Sequence, residues 1–174
     1  MRRITVATIL TASLLLALAQ HTLAQQSAGA SIDETLQLLG DKLERYGRVR
    51  ISYGIESPGR QTFQNFEYLG SEGCLFRYRL RHQEISQTVG FGNSEWSVNL
   101  STIDPDSIEI KMEKDWSGGF VNFHIADGSR GVKCHNCGGP NPNKFSTGGF
   151  AIGNKNALEA IATALKQAVC LCRK

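Results

Sequence analysis

Five cysteines are the residues best equipped for chemistry in this 174-residue chain: Cys74, Cys134, Cys137, Cys170 and Cys172. Cys134-His135-Asn136-Cys137 has the spacing of a thiol–disulfide redox pair, but a redox thiolate is usually stabilised at a helix N-terminus. Here Gly138-Gly139-Pro140 follows, which is loop. Haem attachment needs a histidine directly after the second cysteine, and Gly138 stands there. Zinc would take Cys134 and Cys137 at knuckle spacing, with Cys170 and Cys172 completing four thiolates. Those last two are separated by a single residue on an expected helix and point in divergent directions. An oxidising compartment would also compete for the thiols. The pattern favours a Cys134–Cys137 disulfide that staples an irregular loop, with His135 and Asn136 exposed. A zinc-binding or thiol-redox protein built on Cys134 and Cys137 is the alternative. No other cofactor is expected.

Cys74 and Cys172 both fall on apolar faces, one on a strand and the other on the last helix. A bridge between them would pin helix to sheet across about a hundred residues, worth about 2–4 kcal/mol. An odd cysteine count leaves at least one thiol over.

No catalytic residue is assigned. His82, His124 and His135 stand apart in sequence. No Gly-x-Ser-x-Gly elbow, His-Glu-x-x-His or phosphate loop occurs. Asp104 and Asp106 flank Pro105 and serve a turn, since the further oxygen ligands of a calcium loop are missing. Arg77, Arg79 and Arg81 alternate along one strand and could face an acidic protein or anionic lipid head groups. The competing account is a solvated face balanced by Glu56, Glu67, Glu72 and Glu84.

The compartment is read from the first residues. Arg2 and Arg3 precede an apolar run from Ile4 to Ala19, and Thr22-Leu23-Ala24 offers small residues at a cleavage position. Residues 1–24 are expected to be a cleavable signal peptide, 25–30 a loose N-terminus, and 31–174 a single globular domain. The protein is then exported, to a periplasm or the extracellular space. No transmembrane segment is expected in the mature chain. Arg2 and Arg3 account for two of the 19 basic residues, and residues 1–24 contain no acidic one, leaving 17 basic against 16 acidic. Such a balance gives no footprint for nucleic-acid binding.

These residues need elements to position them. Ser31 and Glu34 have the spacing of a capping box. Ile32, Leu36, Leu39, Leu43 and Tyr46 then recur at helical spacing up to Gly47. From residue 48 the period becomes two: Val49 to Ile55, Phe63 to Leu69, Cys74 to Leu80, Ile85 to Val89, Trp96 to Leu100, Ile108 to Met112 and Phe120 to Ala126 read as strands. Turns are expected at Ser57-Pro58-Gly59, Asp104-Pro105-Asp106 and Asp127-Gly128. Residues 135–149 read as a long loop, with Val132 and Phe150–Ile152 at sheet edges. A helix from Lys155, capped by Asn154, carries Leu158, Ile161, Ala162, Leu165, Val169 and Cys172 on one stripe.

The expected class is α+β: an antiparallel bent sheet or small barrel, with an N-terminal helix and a closing C-terminal amphipathic helix. The strand from Trp96 to Ile103 leading into Asp104-Pro105-Asp106-Ser107-Ile108, and the Ala157–Cys172 helix ending Ala168-Val169-Cys170-Leu171-Cys172, resemble pleckstrin-homology-like barrels. In particular they are similar to exported bacterial proteins of that shape. The resemblance covers roughly residues 48–172, implies a fold and carries no catalytic residues. The function expected is that of a non-catalytic exported domain binding a protein or an anionic lipid.

Overall fold

The computed structural model describes residues 31–52, 61–84, 93–113, 118–137 and 141–174. The expected signal peptide at 1–24, the stretch 25–30, the expected turn at Ser57-Pro58-Gly59, the expected end of the first strand at Ile55, the expected Ile85–Val89 strand and Gly138-Gly139-Pro140 lie outside the described residues.

Helix α1 spans Ile32–Tyr46 and buries Thr35, Leu36, Leu39, Gly40 and Leu43 on one face. That face meets Tyr68, whose ring lies so close to Gly40 that any Cβ there would strike it. Gly47 closes the helix by donating its backbone N–H to the Leu43 carbonyl at 2.6 Å. Strands β1 (Val49–Ser52), β2 (Gln61–Glu72), β3 (Leu75–Glu84) and β4 (Ser94–Asn99) follow. Gly70 and Gly73 sit at φ +98° and +54°, where a Cβ is disfavoured: Gly70 lies within β2 where its register against β3 shifts at a bulge, and Gly73 lies in the turn from β2 into β3. Cys74 belongs to this turn and not to the strand it was expected to open.

After β4 the chain makes single 3-10 turns at Leu100–Thr102 and Pro105–Ser107, N-capped by the side chains of Asn99 and Asp104. The expected Asp104-Pro105-Asp106 turn is this second one. Strands β5 (Glu109–Met112), β6 (Gly119–His124), β7 (Val132–Cys134), β8 (Asn143–Phe145) and β9 (Thr147–Ile152) complete the sheets. Helix α2 (Lys155–Cys172) is capped by the Asn154 side chain, which accepts from the Asn156 N–H at 2.9 Å.

The strands form a larger sheet in the order β1-β2-β3-β4-β7-β8 and a smaller one in the order β5-β6-β9. Every pairing is antiparallel. The fold is α+β, and the described strands do not close into a barrel. Besides the chain crossings from β4 to β5 and from β6 to β7, the sheets are joined by an isolated bridge between Ile103 and Ile125 and by the run 143–152, which leaves the larger sheet as β8 and enters the smaller as β9 with only Ser146 between.

That run corrects the reading of 135–149 as one long loop. Glycines usually weaken a strand, yet Gly148 and Gly149 lie within β9 because β6 sits hard against them. A Cβ on Gly148 would strike the Phe123 ring, and one on Gly149 the Asn122 side chain. The core fills the space between sheets and helices. Phe150 of β9 meets Phe66, Tyr78 and Phe123 with ring centroids 5.8, 5.5 and 5.7 Å away. Helix α2 contributes Leu158, Ile161, Leu165, Ala168 and Val169, all essentially buried. Each large apolar side chain buried this way contributes about 1.5–3 kcal/mol.

Candidate functional site

Period-two alternation sends Phe76 and Tyr78 of β3 into the core and Arg77, Arg79 and Arg81 to the other face of the larger sheet. Register then decides what those arginines meet. Arg79 lies between Glu67 on β2 and Glu95 on β4. It reaches Glu67 through Nη1 at 3.2 Å and Glu95 through Nε at 3.1 Å, while Nη2 makes a shorter contact with Glu95. Arg81 donates Nε to Glu67 at 2.6 Å. The Arg81 hydrogen bond holds the Glu67 carboxyl below its ordinary range, and the Arg79 hydrogen bond does the same for Glu95. The partners correct the expected balance: Glu67 takes part as anticipated, and Glu95, not foreseen, shares the work.

One register row along, the composition changes. Arg77 is opposite Ser97, Ser97 opposite Lys133, and Lys133 opposite Lys144. Arg77, Lys133 and Lys144 are exposed, and none forms a salt bridge among the described residues. Lys133 and Lys144 face each other directly across the β7–β8 pair, an arrangement that costs stability. Ser97, in the same row, is 3 % exposed.

The Cys134–Cys137 pair closes the end of β7. The two cysteines stand at disulfide-bonding distance, with Cα atoms 5.7 Å apart. Between them, His135 and Asn136 are exposed as residues but engaged as side chains. His135 Nε2 lies 2.8 Å from the Ser97 hydroxyl, and its backbone N–H donates to the Glu95 carbonyl at 2.8 Å. Asn136 accepts from the Glu95 N–H at 2.6 Å and donates to the Asn93 carbonyl at 2.8 Å. Asn143 donates to the Cys137 carbonyl at 3.0 Å. The pair therefore holds a tip clipped onto β4.

Ser97 and His135 have the contact of a nucleophile and base. Their surroundings do not complete such a site: the Ser97 hydroxyl is covered, and the nearby Glu95 carboxylate is held by Arg79 and makes no hydrogen bond to the imidazole. The contact serves to anchor the tip.

Cys74 and Cys172 are also at disulfide-bonding distance, Cα to Cα 5.6 Å, joining the β2–β3 turn to the end of α2. Cys170 is exposed and unpaired. The four thiols of the zinc alternative, Cys134, Cys137, Cys170 and Cys172, are not brought together. Cys172 pairs with Cys74 instead, and no group of three or more His, Cys, Asp or Glu side chains able to hold a metal occurs among the described residues. His124 ends β6 on the surface, its backbone N–H donating to the Ser107 hydroxyl at 2.8 Å. No helix among the described residues is long and apolar enough to cross a membrane. No protein-family model, curated protein or solved structure matches the chain.

Proposed function

We propose that this protein is a non-catalytic, exported binding domain that takes an acidic segment of a partner protein on the outer face of its larger sheet. One observation carries the reading: Arg77, Lys133 and Lys144 share one register row with no salt bridge of their own among the described residues, beside a row in which Arg79 lies between Glu67 and Glu95, with Arg81 of the next row reaching Glu67 diagonally. A sheet that sets Lys133 opposite Lys144 accepts a repulsion of roughly 0.2–1 kcal/mol, which an anionic partner would relieve. The matched row limits where such a partner can sit, favouring a segment over a flat anionic membrane. Export rests on the signal-like N-terminus. Neither zinc nor another cofactor is needed. The likeness to pleckstrin-homology-like barrels belongs to the same proposal, supported by the antiparallel strands and the amphipathic last helix.

The test is titration of the purified protein with polyglutamate at several salt concentrations. Binding is expected to weaken as salt rises, and to fall about tenfold in the Lys133→Glu/Lys144→Glu variant. That variant exchanges one like-charge pair for another across the β7–β8 ladder, so it should melt close to the parent, and its weaker binding then reports the charge of the face and not unfolding. Unchanged binding would refute the assigned face. Binding to phosphatidylglycerol vesicles without binding to polyglutamate would replace the protein partner by a membrane.

A further inference from the structure

Among the described residues, strand β8 ends the larger sheet, and all its residues, Asn143, Lys144 and Phe145, are exposed. An edge strand offers unpaired backbone N–H and C=O groups to any extended chain that approaches. What distinguishes this edge is that each face of the sheet delivers a different chemistry to it.

On the outer face the cationic row from Arg77 through Lys133 terminates at Lys144. On the inner face an aromatic row runs outward from the core. Phe66 stacks on Tyr78 at 4.9 Å, Tyr78 on Trp96 at 6.3 Å, and Trp96 meets Phe145 at 5.7 Å. The row begins with buried rings and ends on Phe145, which is 41 % exposed and one of the few large apolar side chains so placed among the described residues. Both rows stop at β8, on opposite faces, at adjacent residues.

We infer that the β8 edge takes the partner segment as an added strand, with acidic side chains alternating with apolar ones. This deepens the acidic-partner reading above and rests on it. The acidic residues extend the cationic row beside Lys144, and the apolar residues extend the aromatic row against Phe145 and Trp96. The main chain supplies the ladder hydrogen bonds. A second copy of this chain is disfavoured as occupant, because antiparallel pairing of β8 with itself in register sets Lys144 against Lys144.

The probe is a short synthetic peptide alternating glutamate and valine, compared with a peptide of the same composition arranged in blocks and with an alternating peptide N-methylated at every second residue. The alternating peptide is expected to bind, and to slow hydrogen exchange at residues 143–145. The block and N-methylated peptides should bind about tenfold more weakly, as should the alternating peptide to Lys144→Glu. Equal binding of the N-methylated peptide, or protection absent from 143–145, would overturn strand addition and leave the anionic face intact. Failure of every acidic peptide, together with failure of polyglutamate, would remove both readings. Concentration-dependent self-association that protects 143–145 without peptide would make the occupant a second copy, against the inference.

Discussion

The two cysteine pairs do different jobs with the same bond. Cys74 and Cys172 join a β-turn to the last turn of α2 across 98 residues of sequence, whereas Cys134 and Cys137 close only three. The first link constrains where a whole helix can lie, and Leu158, Ile161 and Leu165 depend on that docking for their burial. The second closes the tip that carries His135 and Asn136, whose side chains hydrogen-bond Glu95 and Ser97 of β4 and the neighbouring Asn93. Sequence separation between the bonded residues thus sorts the links into a global and a local device. A cross-link acts largely by restricting the unfolded chain, and that restriction grows with the loop it closes.

The largest expected effect breaks the global side of this contrast. Replacing Cys74 and Cys172 by serine should lower unfolding free energy by about 4 kcal/mol, the upper end of the range expected for the bridge because the loop it closes is long, seen as a marked fall in the denaturant midpoint. Hydrogen exchange should quicken throughout α2. A loss no greater than that of the other pair would mean that helix docking is secured by packing alone.

Serine at both Cys134 and Cys137 should cost less, about 2 kcal/mol. The change should be confined to faster exchange over 132–137 and 143–145, with α2 unaffected. Spread of that change into α2 would erase the distinction between the links.

Acid should give the smallest effect, sharpening the comparison by leaving both cross-links alone. Glu67 and Glu95 titrate in the folded protein below their ordinary value of 4.5. A depressed folded pKa contributes stability that is fully present above the unfolded value and is lost as pH falls through the folded one. The stability gap between the parent and an Arg79→Gln variant should therefore be small near neutrality and close as the solution is acidified below about 4. A gap that widened in acid would contradict the ion pairs.

What could be read in the sequence was what depends on near neighbours. Leu36, Leu39 and Leu43 announced α1, and Leu158 to Val169 announced α2, because a helix writes its buried face at fixed spacing. Cys74 and Cys172 could be matched because each lay beside an apolar pattern facing one core. The cationic row was not legible. Arg77, Ser97, Lys133 and Lys144 become neighbours only through the register of strands distant in sequence, and register is a tertiary quantity. For the same reason Glu95 was missed as the partner of Arg79. Gly148 and Gly149 misled in another way: glycine carries no period, so a strand whose neighbours press closely against it looks like loop.

The passage from β8 into β9 through Ser146 also decides how the molecule would bear tension. The β7–β8 ladder has three residue pairs and the β6–β9 ladder six. A pull that lifts β8 sideways off its neighbour opens its pairs one after another, each failing alone under the whole force. A pull along the strand axis passes instead through Ser146 and loads β9 in shear, so that its pairs must fail together while Phe150 is dragged out of the core. The same edge is soft to peeling and stiff to drawing.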